Sequence, residues 1–555
     1  MPNIEFSMSD LQDLIKKRVS FEELKDIILF AKGEVDAVEG DIVRVDIKDT
    51  NRPDLWSVEG IAREIKGYLE IEKGAPKIPV KKSNVVVNVD KKVQSVRPKI
   101  VCAIVKGLNF NDFSIKQMIQ LQEKISQTYG RNRKDVAIGI YDFDKIKPPI
   151  QYTTVKPDGI RFVPLEFKEE MTPKQILEKH PKGVAYAHLI NKYPEYPILI
   201  DSAKNVLSMP PIINSDYTGK VTEDTKNVFI EATGYDTDRL LTVLNVITSA
   251  LFDRGGEIYS TEIFYGDEKI TTPDFSLKEF FLDINYCKKL LGIDIKNNEI
   301  LKLLEKARYD ASIKGDKILV KYQAYRNDIM HQNDIIEDIA IKFDYNKIEP
   351  EYPNLPTTGS EDKLEIFSND IRTLMIGLGF QEIINYIMTS TEKQFTKMNE
   401  KPENYVEIEN PVSAEYSILR TSILPNLLEN LSSNKHRRFP QRIFEIGDCV
   451  VIEKDTSTKN VRKLAFVISH TNANFSEISS ICNAIKENLG LNVQLKPYNI
   501  KSMIKGRCAG IYFGNELIGF FGEIHPKVLE NWHLEKPVVG FEVNIDKLFE
   551  IISTS

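Results

Sequence analysis

A predicted helix with three carboxylates on one face constrains this chain more than any other stretch of its sequence. Residues 325–350 read YRNDIMHQNDIIEDIAIKFDYNKIEP, and Asn333 is positioned to cap a helix that begins at Asp334. Asp334, Glu337 and Asp338 are spaced i, i+3 and i+4, so their side chains share one face of that helix. The apolar residues on the other side predict contact with a core, and they are Ile335, Ile336, Ile339, Ala340 and Phe343.

Two interpretations of this acidic face remain open on spacing alone. Asp328 precedes the helix and can fold back towards the same face. Converging carboxylates suit a hard divalent cation, and Mg²⁺ usually takes one or two of them and keeps several waters. Charge-rich helix faces are also common where a helix only meets solvent. The spacing by itself therefore favours a solvated face over a metal site.

Length and composition exclude several classes of protein. A chain of 555 residues, 42% of them apolar, predicts about three to five domains. No run of about 18 apolar residues predicts a membrane span, and the N-terminus lacks the features of a signal peptide. The five cysteines are scattered without zinc-binding spacing, which indicates a reducing, cytoplasmic environment. The net charge of −7 argues against a general nucleic-acid binder, so any RNA contact is local or shared with a partner.

The order of predicted elements indicates an α+β multidomain protein. Helical and alternating segments predict an α/β domain over residues 1–75 and a larger α+β unit over 85–270. Residues 274–350 read as strand, helix, helix, two strands and the acidic helix, which is typical of a winged-helix arrangement. Residues 360–555 follow a linker at 351–362 and again combine helices with long β segments.

A second candidate site lies in a strand that is otherwise apolar. Residues 228–234 read VFIEATG, and Glu231 and Thr233 fall at i and i+2, so they point to one face. A carboxylate and a hydroxyl in such a strand indicate either a polar pocket or an exposed edge strand. The residues alone do not decide between these two.

Six segments are spread along essentially the full length of the chain: DTNRPDLWSVEGIAREI, RNRKDVAIGIYDFD, PKGVAYAHLI, VLSMPPIINS, YRNDIMHQNDIIEDIAIKFDY, and NPVSAEYSILRTSILPNLLENLSSN with FEIGD. In this order they resemble the β subunit of phenylalanyl-tRNA synthetases of the archaeal or eukaryotic-cytosolic type. Six such segments in this order and spacing are specific. The resemblance implies an (αβ)₂ heterotetramer that charges tRNA(Phe). It also implies that ATP and phenylalanine are bound mainly by the α subunit.

For this chain the resemblance implies a B3/B4-type tRNA-editing domain at 85–270, a winged-helix-like B5 domain at 274–350 and a class II synthetase-like, non-catalytic module at 360–555. Class II activation needs arginines for the ATP phosphates, including one that ends a GxGxGxxR motif, and residues 360–555 lack that motif. HIGH-type class I signatures are absent as well. We therefore expect no amino-acid activation by this chain alone. Segments of the bacterial type that contact the anticodon are not matched, so such contacts are not expected.

The resemblance also assigns site residues. It implies that Mg²⁺ is bound by Asp328, Asp334, Glu337 and Asp338, which reverses the interpretation from spacing alone. It implies a pocket that edits mischarged Tyr-tRNA(Phe) at Leu207, Ser215, Glu231 and Thr233. Glu231 is expected to accept a hydrogen bond from the phenol of tyrosine, and Ser215 and Thr233 to position the ester or the attacking water. No Ser-His-Asp arrangement is apparent, which favours a positioned water over a covalent intermediate.

Two alternative functions remain open. A stand-alone trans-editing deacylase would hydrolyse Tyr-tRNA without help and would not need residues 360–555. A winged-helix nucleic-acid-binding scaffold would need a basic face on the second helix of its domain, but residues 297–307, NNEILKLLEKA, are balanced in charge. Co-purification of a second chain with class II signatures would favour the synthetase subunit over both.

Overall fold

The computed structural model of the protein describes residues 3–453 and 457–554. These residues form two compact units, of which the first runs to Tyr352 and the second begins at Pro353. The break falls inside the predicted linker, and both units combine helices with sheets, as an α+β multidomain chain should. The finer division of the first unit into three domains stays a prediction. No helix in the described part of the chain is both long and apolar enough to span a bilayer.

The first unit begins with a small sheet of strand order β1-β3-β2, in which all neighbours are antiparallel. Ser57 caps helix α3, because its hydroxyl accepts a hydrogen bond from the Gly60 N–H. The elements are β1 (Asn3–Ser7), α1 (Met8–Ile15), α2 (Phe21–Ile27), β2 (Gly33–Glu39), β3 (Ile42–Ile47) and α3 (Val58–Tyr68).

An eleven-stranded sheet forms the middle of this unit. Its elements are β4 (Val80–Lys81), β5 (Val86–Val89), β6 (Lys99–Lys106), α4 (Asp112–Gln127), β7 (Val136–Asp142), β8 (Ile150–Val155), α5 (Pro173–Lys179), α6 (Pro181–Tyr186), β9 (Tyr196–Ile200), β10 (Val206–Met209), β11 (Ile213–Asn214), α7 (Asp216–Gly219), β12 (Val228–Gly234), α8 (Thr237–Asp253), β13 (Glu257–Tyr265) and β14 (Glu268–Thr272). The main strand order is β11-β10-β9-β8-β5-β13-β6-β12-β7, with β4 and β14 also paired to β13.

Strand β12 lies inside this sheet, because it pairs with β6 on one side and β7 on the other. One face of β12 packs through Val228, Ile230 and Ala232 on a core that includes α4 and α8. Side chains alternate along a strand, so Glu231 and Thr233 point to the opposite face. Glu231 is 2% exposed and Thr233 is fully buried, which excludes the exposed edge strand.

The remainder of the first unit has the predicted element order. It comprises β15 (Lys278–Asp283), α9 (Ile284–Leu291), α10 (Asn297–Lys306), β16 (Asp310–Lys314), β17 (Lys317–Tyr322) and α11 (Gln332–Phe343). The acidic helix α11 begins two residues before the predicted start, and its cap is His331 instead of Asn333. The His331 ring accepts the Asn333 N–H, and the Asp334 carboxylate accepts the N–H groups of Met330 and His331. The cap prediction was therefore wrong, because Asp334 folds back over the first turn.

The second unit is built on a seven-stranded sheet of order β18-β21-β22-β26-β25-β24-β23. Helices α12, α14 and α16 pack on one of its cores, and α13 on another. The elements are α12 (Lys363–Gly377), β18 (Gln381–Glu382), β19 (Met388–Thr389), β20 (Ile418–Leu419), α13 (Leu424–Ser433), β21 (Gln441–Ile452), β22 (Thr458–Ser469), α14 (Phe475–Asn488), β23 (Gln494–Pro497), β24 (Met503–Phe513), β25 (Glu516–Ile524), α15 (Pro526–Asn531), β26 (Val538–Asn544) and α16 (Ile545–Thr554).

Candidate active site

A cavity of about 650 Å³ lies beside β7, the strand that ends the eleven-stranded sheet. Helix α4 contributes one wall, and the turn after β10 together with α7 contributes another. We call this space the Glu231 cavity, and its lining includes Met118, Gln122, Ile138, Ser208, Pro211, Asn214 and Glu231. Its lining mixes apolar side chains with polar and charged ones, so it can contact both the apolar and the polar parts of a small ligand.

Glu231 supplies the buried carboxylate of this cavity. Its Oε1 atom accepts a hydrogen bond of 2.9 Å from the hydroxyl of Tyr141 on β7. Its Oε2 atom is buried and has no hydrogen-bond partner among the described residues. Burial raises the pKa of Glu231 to about 7, against an opposing effect of the Tyr141 hydrogen bond and of Arg97. A buried acceptor without a partner costs free energy, which a ligand that donates a hydrogen bond can recover.

Gly139 makes the contact between Tyr141 and Glu231 possible. It is the residue of β7 directly opposite Glu231. A Cβ atom at position 139 would lie 2.0 Å from the Tyr141 hydroxyl and 2.8 Å from Glu231 Oε1, which is closer than such atoms approach. Sequence reasoning missed both Gly139 and Tyr141, although both lie in the RNRKDVAIGIYDFD segment. Their spacing of two residues indicates that they share a strand face. The sequence does not show the strand register that directs this face towards Glu231.

Thr233 shares a strand face with Glu231 but belongs to a different contact. Its hydroxyl accepts a 3.0 Å hydrogen bond from Arg97 Nε, and its backbone carbonyl accepts a second bond from the same guanidinium. Arg97 is 2% exposed, and burial lowers its pKa. Thr233 thus holds Arg97 in place and does not line the Glu231 cavity.

Ser215 and Leu207 also lie outside the lining of the cavity. The Ser215 hydroxyl caps α7 by accepting the Thr218 N–H, and Leu207 is buried in an apolar core with Tyr152 and Phe229. The neighbour Ser208 lines the cavity instead, because adjacent residues of a strand point to opposite faces. Of the four predicted pocket residues, the structure brings only Glu231 into this cavity.

The predicted metal ligands lie in a network of buried ion pairs. Arg326 binds Asp328 through two hydrogen bonds of 2.7 and 2.6 Å and reaches Asp338 at 2.8 Å. Asp338 also accepts a 2.5 Å hydrogen bond from the Tyr309 hydroxyl and lies 3.2 Å from Lys32 Nζ. Burial opposes ionisation of Asp338, but Arg326 and Lys32 hold its pKa far below the usual range.

The network continues into the N-terminal part of the unit. Arg52 binds Asp54 through two hydrogen bonds and pairs with Glu64 at 3.0 Å, and Lys342 of α11 pairs with the other oxygen of Glu64 at 3.2 Å. Against the effect of burial, Lys342 and Arg52 lower the pKa of Glu64 to about 2. Two of the segments that carry the family resemblance, DTNRPDLWSVEGIAREI and YRNDIMHQNDIIEDIAIKFDY, therefore meet in one structure.

This arrangement does not fit the predicted Mg²⁺ site. Each of the four buried carboxylates is paired with at least one basic group; the residues are Asp54, Glu64, Asp328, Asp338, Lys32, Arg52, Arg326 and Lys342. Glu337 is half exposed and pairs with Lys32, while Asp334 caps its own helix. Within the described residues, no three His, Cys, Asp or Glu side chains are grouped to hold a metal ion.

Three family models match successive parts of the chain. They are described as "B3/4 domain" over residues 85–262, "tRNA synthetase B5 domain" over 280–345 and "Phenylalanyl tRNA synthetase beta chain CLM domain" over 348–545. The Glu231 cavity lies in the region of the first match, and α11 lies in that of the second.

Relatives of the same kind extend over the whole chain. The phenylalanine–tRNA ligase beta subunit of Pyrococcus horikoshii is 49% identical, over 99% of this chain and 100% of its own length. That of Methanocaldococcus jannaschii is 42% identical, over 98% of this chain and 100% of its own length. The crystal structure of an N-terminal fragment of the Pyrococcus horikoshii phenylalanyl-tRNA synthetase beta subunit is 52% identical. It covers 62% of this chain and 100% of the fragment, with a TM-score of 0.61. The chain therefore belongs to the family of phenylalanine–tRNA ligase beta subunits and is part of a ligase.

Proposed function

We propose that this chain clears mischarged Tyr-tRNA(Phe) by hydrolysis in the Glu231 cavity, while a partner α subunit charges tRNA(Phe) with phenylalanine. The observation that carries the proposal is the buried Oε2 atom of Glu231, which has no hydrogen-bond partner among the described residues. This atom belongs to a carboxylate that lines a cavity of about 650 Å³, which is large enough for an aminoacyl group.

The chemistry of the two amino acids explains why such a site is useful. Phenylalanine and tyrosine differ by one hydroxyl, and an apolar activation pocket rejects an added hydroxyl only by about 10²-fold in comparable cases. In the Glu231 cavity a tyrosyl phenol donates to Oε2, whereas a phenylalanyl ring would leave that oxygen unpaired at a cost of about 1–3 kcal/mol. The Tyr141 phenol, which already donates to Oε1, is an internal example of the same contact.

Hydrolysis needs a water molecule next to the ester carbonyl. Ser208, Gln122 and Asn214 are uncharged polar side chains in the lining of the cavity. The Ser208 hydroxyl has no hydrogen-bond partner among the described residues, while the amide NH₂ groups of Gln122 and Asn214 donate to the carbonyls of Ile138 and Ile140. The Ser208 hydroxyl is therefore the best suited to hold this water or the ester. Attack by water breaks the bond between the acyl carbon and the tRNA oxygen, and the tRNA hydroxyl leaves with a proton. We assign the water-holding role to Ser208 in place of Ser215 and Thr233, whose hydroxyls are engaged elsewhere.

The second unit supports the dependence on a partner chain. Apolar side chains that a soluble monomer would normally bury are exposed there, with Ile384 at 88% and Tyr386 at 72%. We propose that this surface contacts the α subunit in an (αβ)₂ heterotetramer, and that ATP and phenylalanine bind mainly to that partner. The five free, buried cysteines agree with a cytoplasmic enzyme.

We propose Mg²⁺ as a cofactor of the complex in its ATP-dependent reaction. The residues of α11 are not assigned to that role, because Asp328 and Asp338 are held by Arg326. The family resemblance supports the metal, and the ion pairs argue against this location for it.

The test is Glu231→Ala in the reconstituted complex. Hydrolysis of preformed Tyr-tRNA(Phe) should fall by about 10- to 150-fold, the usual effect of losing a hydrogen bond to a charged group. Charging with phenylalanine should stay near normal. The matched control is Glu195→Ala in the same part of the chain, since Glu195 accepts a hydrogen bond from Thr154 but does not line the cavity. Equal clearance of Tyr-tRNA(Phe) by Glu231→Ala and the parent complex would contradict the proposal.

A further inference from the structure

Strand β7 presents two residues to the carboxylate of Glu231. Gly139 lies opposite Glu231 across the β7–β12 pair, and Tyr141 follows two residues later on the same face. The Tyr141 hydroxyl donates to Glu231 Oε1 at 2.9 Å, and both side chains are buried. A Cβ atom at position 139 would occupy the space through which the hydroxyl reaches the carboxylate. The contact therefore depends on a glycine and a tyrosine at fixed positions of one strand.

We propose that Tyr141 is a positioning residue for recognition of the tyrosyl group: its hydroxyl occupies Oε1 of Glu231, fixes the carboxylate rotamer and leaves Oε2 as the acceptor for the substrate phenol. This inference rests on the proposed editing function of the same cavity. Tyr141 is not among the residues that line the cavity, so its effect on the substrate passes through Glu231. Gly139 has the supporting role of keeping the approach open.

The groups around Glu231 allow a positioning role of Tyr141 to be distinguished from a role in packing alone. On β6, Cys102 lies opposite Glu231, and Arg97 precedes that strand; on β8, Tyr152 donates its hydroxyl to the Arg97 carbonyl. Among the described residues, Tyr141 is the one that hydrogen-bonds to the Glu231 carboxylate. The Tyr141 hydrogen bond lowers the pKa of Glu231, against the larger effect of burial. Loss of the Tyr141 hydroxyl should therefore move the ionisation of Glu231 to higher pH, which a packing defect would not do.

The experiment measures the hydrolysis of Tyr-tRNA(Phe) by the reconstituted complex as a function of pH. Tyr141→Phe should lower the rate at pH 7 by about tenfold. It should also move the acidic limb of the pH profile upward by about one unit. Tyr309→Phe is the matched control, because it removes an equally buried phenol–carboxylate hydrogen bond outside the cavity and should leave the profile in place. Gly139→Ala should act in the same direction as Tyr141→Phe.

A second variant tests the inference in case Tyr141→Phe misfolds. Site-specific replacement of Tyr141 by 3-fluorotyrosine keeps the ring and makes the hydroxyl a stronger donor, so the acidic limb should move to lower pH. An unmoved limb in both Tyr141 variants, with Glu231→Ala still defective, would overturn this inference and leave the proposed function standing. Normal hydrolysis by Glu231→Ala would remove the proposed function itself, and this inference with it.

Discussion

Glu231 and Asp338 are two buried carboxylates that make the same local contact but have pKa values shifted in opposite directions. Each accepts a hydrogen bond from a buried tyrosine, Tyr141 at 2.9 Å in one case and Tyr309 at 2.5 Å in the other. Asp338 is also bound by Arg326 and Lys32, and its pKa lies far below the usual range. The second oxygen of Glu231 has no hydrogen-bond partner among the described residues, and burial raises the pKa of this group to about 7.

At these two positions the number of basic groups in contact decides whether the effect of burial on the pKa prevails. Burial opposes ionisation at both positions. Two basic groups outweigh it at Asp338, which becomes a fixed structural charge. At Glu231, Arg97 lowers the pKa less than burial raises it, since the Arg97 guanidinium is hydrogen-bonded to Thr233, and one carboxylate oxygen has no hydrogen-bond partner among the described residues. The ion-paired carboxylate of Asp338 suits a structural role, and the carboxylate of Glu231 with its unpaired oxygen suits ligand recognition.

The largest expected effect comes from removing a basic group next to Asp338. Arg326→Ala leaves Asp328 and Asp338 buried without their shared partner, and the cost of such a change is about 3–5 kcal/mol. Hydrogen exchange of the α11 amides should report this as a lower free energy of opening. Lys48→Ala is the control, because it removes exposed ion pairs and should leave protection nearly unchanged. Retained protection in Arg326→Ala would show that the network does not stabilise α11.

A smaller effect of opposite sign is expected at Glu231. Its pKa is raised on folding from 4.5 to about 7, so the contribution of Glu231 to stability is fully present below pH 4.5 and is lost as the pH rises through 7. Glu231→Gln removes the charge and should stabilise β12 at pH 8 by about 1 kcal/mol, with no gain at pH 4. Hydrogen exchange of the β12 amides at both pH values checks this. An equal change at the two pH values would mean that ionisation of Glu231 is not the cause.

The smallest expected effect concerns metal removal. Since each buried carboxylate of the network is paired with a basic group, chelation of Mg²⁺ should not alter protection of α11 in the full chain. Glu337→Ala, which removes an exposed partner of Lys32, should behave like the parent chain with and without chelator. A marked loss of α11 protection on chelation, absent in Glu337→Ala, would restore the metal site at this face.

The sequence was sufficient for the parts of this picture that depend on local spacing. It placed Glu231 and Thr233 on one strand face and predicted the order of elements from β15 to α11, and both predictions are confirmed. It did not identify Lys32 as a partner of α11, because Lys32 is 305 residues from Glu337 along the chain and only folding brings them together. Arg326 is 12 residues from Asp338, but its contact with that carboxylate depends on how the segment between them folds. Leu207 stays a prediction, but Ser208 lines the Glu231 cavity and Leu207 does not, because a shift of one residue changes the strand face.

The ion pair between Glu64 and Lys342 has a consequence for the synthesis of the chain. The two residues are 278 positions apart, so at typical rates of translation Lys342 leaves the ribosome about 15 to 55 s after Glu64. Throughout that interval the Glu64 carboxylate lacks its lysine and has Arg52, which is made earlier, as a basic partner. A pause or truncation before position 342 would leave a nascent chain in which the Glu64 carboxylate of α3 has no Lys342 to pair with.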